Sequence, residues 1–178
     1  PEPISAEMRL VLLCCRAAPD SREWEEIRRA AGAVSDWEQV YAVCARQRVL
    51  PVLYRRLKAI VPGAVPGPVL KRLKTAYMAN AGNNMAKTAC LVRAVRALSG
   101  AGIAVLPFKG PVEAEYVYGD ISLRIFSDLD ILVRPEDAAD AREILLESGF
   151  CRGLALNRQQ MEKYVQTEDN FSLTCNKQ

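Results

Sequence analysis

The sequence predicts an α+β protein in which a helical N-terminal region, residues 1–100, precedes a small sheet-bearing core, residues 101–178. Three observations lead there. Apolar residues recur at steps of three and four through the first hundred positions, the pattern of helices with one buried face. Short apolar runs bounded by glycine, proline or charge then take over at 103–108 and 126–133. Helical stretches follow each run, so the order becomes strand, helix, strand, helix.

The elements follow in chain order. Ser5 to Arg16 carries Met8, Val11, Leu12 and Cys15 at helical spacing, and Pro19 closes it because proline cannot continue the backbone bonding. Asp20 stands three residues before Glu23, and Ser35 three before Glu38. Each pair is a capping box that opens a helix. Leu50-Pro51 interrupts the second of these, and Val52 to Ile60 continues as a basic amphipathic stretch with Leu53 and Leu57 on one side. Val61 to Pro68, with three prolines and two glycines, is a loop. From Val69 to Ser99, Leu70, Leu73, Tyr77, Ala81, Met85, Val92, Val95 and Leu98 mark one long helix with one gap in its stripe, ended by Gly100 and Gly102.

Ile103 to Phe108 reads as a buried strand. Lys109-Gly110-Pro111 opens a helix, since a proline in the first turn lacks only an amide hydrogen that would have no partner. Gly110 sits at its entrance, and Gly119-Asp120 stops it. Phe126 to Val133 reads as the next strand. Pro135, Glu136 and Asp137 suit a helix start, where the dipole favours acids, and Gly149 ends that helix. Phe150 to Leu156 and Phe171 to Cys175 are later strands, with a polar helix from about Arg158 to Gln166 between them.

Composition excludes more than it selects. Half of the 178 residues are hydrophobic, enough for a real core in one domain or two small ones. Lys and Arg number 24 against 21 Asp and Glu, so the formal charge of +3 argues only weakly for a nucleic-acid partner. No apolar run approaches the roughly 20 residues of a membrane span. Pro1-Glu2-Pro3 lacks the charged and apolar regions of a signal peptide, so a cytoplasmic, non-membrane protein is expected. Pro1 in place of Met, and an ending at Asn170 to Gln178 without a closing helix or tail, read as marks of a fragment. The six cysteines form no C-x-x-C pair, and most read as small buried hydrophobes. Histidine is absent, which removes Ser-His and Cys-His nucleophile pairs and histidine-rich zinc hydrolases.

The chemistry concentrates in Ser127-Asp128-Leu129-Asp130-Ile131-Leu132-Val133. Residues two apart in a strand face one side at about 6.5 to 7 Å, so Asp128 and Asp130 are expected to project together, away from Leu129 and Ile131. Two carboxylates so placed repel each other unless a cation lies between them, and a hard divalent ion such as Mg²⁺ accepts oxygen ligands of this kind. Upstream, Gly110 at a strand-to-helix turn offers amide groups to an anion, Lys109 adds a positive charge, and Arg124 a forked guanidinium. Each has a plain alternative: exposed acids facing water, a solvated lysine, a glycine that only satisfies the turn, a surface ion pair. Their conjunction favours a phosphate pocket and a metal bay sharing one substrate.

The strings G-I-A-V-L-P-F-K-G-P from Gly102, Y-G at Tyr118 and R-I-F-S-D-L-D-I-L-V-R-P-E-D from Arg124 resemble the uncharacterised bacterial nucleotidyltransferases of the DNA polymerase beta-like superfamily. The G-F ending at Gly149-Phe150 matches too, as do L-L-C-C-R near the start and V-L-P-V-L-Y-R-R-L-K from Val49. The resemblance implies a mixed sheet bearing two or three acids, of which this chain carries the front part. It implies a nucleoside triphosphate as substrate and two Mg²⁺ ions at Asp128 and Asp130, the catalytic and metal-binding residues. Lys109 and Gly110 would orient the triphosphate, with Arg124 and Ser127 as further nucleotide contacts. Ser127 also reads simply as a strand-start hydroxyl.

The family's usual third carboxylate, an acid followed closely by His-Trp, has no counterpart here; Glu168 and Asp169 are the nearest substitutes. The acceptor hydroxyl is not legible, with a small molecule or a protein favoured over nucleic acid. Two other readings stand beside this one. One is a non-catalytic nucleotidyltransferase fold that binds another protein. The other makes Arg46 to Lys58, with Lys71, Arg72 and Lys74, a nucleic-acid surface, although no aromatic interleaving supports base stacking.

Overall fold

The computed structural model describes residues 4–16, 20–60, 63–153, 156–168 and 170–175. The chain divides into two compact units, Pro1–Met85 with Gly110–Ser127, and Ala86–Lys109 with Asp128–Gln178. The class is α+β, as expected.

The first unit contains α1 (Ala6–Cys14), α2 (Ser21–Gly32), α3 (Trp37–Arg46), α4 (Leu50–Ile60), the first part of α5 (Gly67–Gly100) and α6 (Gly110–Tyr118). Its apolar core is built on Leu10, Ile27, Val40, Cys44, Leu53, Leu57 and Leu73. Asp20 and Glu23 form the expected capping box, with Asp20 accepting from the Glu23 amide at 2.8 Å and Glu23 from the Asp20 amide at 3.0 Å.

Several local expectations are corrected. The cap of α3 is Asp36, which accepts from the Gln39 amide at 2.9 Å, and not Ser35. Ser35 instead donates its amide and hydroxyl to Glu7, both at 3.1 Å, and the Asp36 amide donates to the same carboxylate oxygen at 3.3 Å. Buried Glu7 therefore lies on the inner face of α1 with Leu10, Val11 and Cys14, while Met8, Leu12 and Cys15 of the expected face are exposed. A charged residue on the inner face misled a reading that counts apolar positions.

The break between α3 and α4 likewise falls before Leu50-Pro51. Arg48, at φ 60°, forms a Schellman turn in which the Arg48 amide donates to the Ala45 carbonyl and the Val49 amide to the Cys44 carbonyl. Pro51 then sits in the first turn of α4, where its missing donor costs nothing. Gly67 and Pro68, expected in a loop, already belong to α5, and Pro19 lies outside the described residues.

The second unit contains the rest of α5, β1 (Val105–Phe108), β2 (Asp130–Val133), a 3₁₀ turn (Pro135–Asp137), α7 (Ala138–Glu147), β3 (Phe150–Arg152), α8 (Arg158–Tyr164) and β4 (Leu173–Cys175). Gly102, at φ 80°, ends α5 in a second Schellman turn, with the Ile103 amide on the Leu98 carbonyl. Ala94, Leu98, Ile103, Ala141 and Leu145 form the core, and Val105, Ile131, Val133, Phe150 and Leu173 pack on it. In place of one mixed sheet, the described strands form two antiparallel pairs, β1 with β2 and β3 with β4.

Two further expectations are revised here. Met85 and Val92 of the predicted stripe on α5 are exposed, because the buried face passes through Asn84 and Leu91 instead. Cys14 and Cys44 are buried, but Cys90 and Cys175 form a disulfide that ties α5 to β4. Among the described residues no helix is long and apolar enough to cross a membrane.

Glu7 generates a pH prediction. Hydrogen bonds from its own amide, then from those of Ser35 and Asp36, hold its pKa down to about 2 from an ordinary 4.5, against burial, which raises it. A depressed folded pKa gives stability that is complete above the unfolded value and lost as pH falls toward the folded one. Replacing Glu7 with Gln is expected to lower the melting temperature at neutral pH and to flatten its decline between about pH 4.5 and 2. Thermal melts of both proteins across that range test this, and parallel curves would refute it.

Candidate functional site

The acids begin where a strand ladder ends. Val105 pairs with Val133 and Phe108 with Asp130, and Phe108–Asp130 is the last pair at that end. The next residue, Lys109, takes φ 54° and cannot continue a strand, so β2 starts at Asp130 and not at the expected Phe126. Asp128 thus precedes the ladder and is exposed. Asp130 does stand on the face opposite Ile131, which packs on the core. It shares that face with Leu132, and with Phe108 and Leu106 across the ladder. Leu106 and Leu132 are 61% and 51% exposed, so this face of β1 and β2 is open among the described residues.

Lys109, Asp128 and Asp130 belong to the second unit. Lys109 Nζ lies 4.0 Å from Asp130 Oδ2 and 5.0 Å from the centre of the Phe108 ring. The lysine side chain is 60% exposed and the aspartate 31%, so the pair contributes at most about 1 kcal/mol to stability. Its consequence is chemical: a positive charge stands at the strand end beside one carboxylate. A lysine at positive φ is strained by about 1–2 kcal/mol, and such strain gathers at functional positions.

Gly110, Arg124 and Ser127 belong to the first unit. Gly110 is buried at φ 46° as the first residue of α6, so the turn requires glycine, as expected. Arg124 donates to Glu113 of α6, Nη2 to Oε2 at 2.9 Å; the ion pair weighed as its plain alternative is present. Ser127 is exposed.

The reading of the sequence missed what holds Arg124. Asn80 Nδ2 donates to the carbonyls of Ser122 (2.7 Å) and Arg124 (3.2 Å), and Asn84 Nδ2 to those of Ile121 (2.6 Å) and Arg124 (2.7 Å). The signal was available in Asn80-Ala81-Gly82-Asn83-Asn84, since asparagine and glycine are poor helix formers and their presence inside a long helix calls for a reason.

Among the described residues no group of three or more His, Cys, Asp or Glu is arranged to hold a metal ion. Glu168 is exposed just after α8, its amide on the Tyr164 carbonyl, and Asp169 lies outside the described residues. The oxygen donors on hand are therefore Asp128 and Asp130.

Comparison with known families decides the relationship. The model of the uncharacterised nucleotidyltransferase family matches residues 33–173. The chain belongs to this nucleotidyltransferase family. The match includes Lys109-Gly110, Arg124 and both acids, and most of the helical region besides. No curated protein and no solved structure matched the chain.

Strain at Lys109 separates two properties of this nucleotidyltransferase. Lys109→Gly and Lys109→Ala both remove the ammonium group, but only glycine adopts φ 54° without strain. The Gly variant is expected to exceed the Ala variant by about 1 kcal/mol in denaturant unfolding. Equal stabilities would show that Lys109 is not strained.

Proposed function

We propose that the chain moves a nucleoside monophosphate from a nucleoside triphosphate to an acceptor hydroxyl, with Mg²⁺ at Asp128 and Asp130. The observation that carries this reading is the pairing of Lys109 with Asp130 at the end of the β1–β2 ladder, inside a family of nucleotidyltransferases. The donor set suits the ion, since Mg²⁺ is commonly held by one or two carboxylates together with substrate phosphates. A bound pair of Mg²⁺ ions would supply charge stabilisation at the attacking and leaving oxygens of an in-line displacement.

The side chains divide the remaining work. Lys109 neutralises phosphate oxygens as a point charge, and the Phe108 ring beside it limits where the ammonium group can go. Gly110, Arg124 and Ser127 enter as nucleotide contacts on their places in the shared motif. Asp130 faces away from the core with Leu106 and Leu132, which leaves that side of the strand pair open to a ligand.

A small molecule or a protein is favoured over nucleic acid as the acceptor. Three arginines of the basic stretch are engaged within their own unit: Arg55 with Asp120 at 2.6 Å, Arg56 with the Arg16 carbonyl at 2.8 Å and the Trp24 ring, Arg72 with Glu38 at 2.6 Å and the Tyr41 ring. A cytoplasmic location goes with this reading, through its nucleoside triphosphate substrate; the Cys90–Cys175 disulfide does not favour it, since disulfides are rare in reducing compartments. A second reading, a non-catalytic member that binds another protein, is favoured because no group of three acids is arranged for a metal among the described residues.

Melting temperature with each nucleoside triphosphate, with and without Mg²⁺, tests the proposal, because a ligand of the folded state raises it. A magnesium-dependent rise of several degrees is expected for one nucleotide, lost in Asp128→Ala/Asp130→Ala. No rise with any nucleotide would remove the catalytic reading and leave the protein-binding one.

A further inference from the structure

The turn after α6, residues 120–124, carries Arg124 and has no regular backbone pairing of its own. Its carbonyls need partners, since an unsatisfied buried one costs about 1–3 kcal/mol. Asn80 and Asn84 lie one helical turn apart on the same face of α5 and supply them. Each side-chain amide spends both of its hydrogens on two carbonyls, so three places in the turn, at 121, 122 and 124, are held by four bonds. The Arg124 carbonyl receives one bond from each asparagine.

The same face adds Tyr77, whose hydroxyl lies 2.8 Å from Ser122 Oγ. Asp120 accepts from the Ser122 amide at 2.8 Å and is itself paired with Arg55 of α4. Asn84 is fully buried, where an amide would be replaced by leucine if packing alone were the requirement. At the other end of Arg124 the guanidinium rests on Glu113. The residue is thus fixed at its backbone by α5 and at its tip by α6, an orientation determined at both ends within one unit.

We propose that Asn80 and Asn84 are positioning residues for nucleotide binding, which act by fixing the backbone of Arg124 so that its guanidinium is presented to the phosphates. This rests on the reading of the chain as a nucleotidyltransferase with Arg124 as a nucleotide contact. The gain is preorganisation: an arginine already ordered loses less conformational freedom when it takes up a phosphate. A clamp with only a structural role would stabilise the unit without being coupled to Arg124 in binding.

A double-mutant cycle separates the two. Calorimetric titration with ATP, CTP, GTP and UTP in the presence of Mg²⁺ is applied to the parent chain, Asn80→Ala, Arg124→Ala and the double variant, well below their melting temperatures. Asn80 is chosen first because it is only half-buried and its loss leaves the Asn84 bonds in place; Asn84→Ala repeats the cycle if it folds. Asn80→Ala is expected to weaken binding of the preferred nucleotide about tenfold in the parent and not at all in the Arg124→Ala background. Unchanged affinity in Asn80→Ala, or the same loss in both backgrounds, would overturn the positioning role while nucleotide binding by the parent stands. A parent chain that binds none of the four would instead remove the nucleotidyltransferase reading and this inference with it.

Discussion

Left-handed backbone at Lys109 (φ 54°) and Gly110 (φ 46°) ends β1 after Phe108, and the ladder with β2 can run no further than its partner. In the register of the pair Asp130 is opposite Phe108, so β2 begins at Asp130 and Asp128 falls in the segment before the strand. Gly110 begins α6, with Pro111 next, in the one part of a helix that tolerates a missing amide hydrogen. Glycine takes such a conformation freely. Lysine does not, so the surrounding structure must impose it, and it is imposed on the residue whose ammonium group stands by Asp130.

Elsewhere in the helical unit, the joints between elements are made by buried and half-buried polar side chains. Glu7 of α1 accepts from the amides at the start of α3, and Asn80 and Asn84 of α5 donate to the carbonyls of the turn before Ser127. The apolar core around Leu10, Ile27, Leu57 and Leu73 holds the helices together without specifying these joints, because hydrophobic burial is non-directional. Hydrogen bonds to particular carbonyls and amides do specify them. A short polar stripe on a buried helix face is thus a statement about the irregular segment it touches.

In the second unit the corresponding work is done by other means. The disulfide joins α5 to the last strand, and Arg158 of α8 reaches Asp140 at 2.6 Å and Glu143 at 3.1 Å on α7. The strand pair packs Val105, Ile131 and Val133 inward and leaves Leu106, Leu132 and Asp130 on the other face. Asp130 stands at the rim of that open apolar face with Lys109 beside it, and at 4.0 Å and this exposure the pair stabilises little.

Helix and strand identities were legible because they are local. Apolar spacing, capping acids and glycines at helix ends act within a few residues, and the chain shows them at Asp20 and Glu23, at Gly102 and at Gly149. Family membership was equally legible, since Lys109-Gly110 and Asp128-Leu129-Asp130 are contiguous strings. Which face of α1 or α5 turns inward was not, because Glu7 and Asn84 are buried by partners 28 and 37 residues away in the chain. Nor was the start of β2, which depends on where its partner strand stops. By itself, then, the sequence determined the elements, the class and the family. The tertiary structure alone decided which polar groups are buried and where the acids stand relative to the ladder, since both depend on hydrogen bonds between segments distant along the chain.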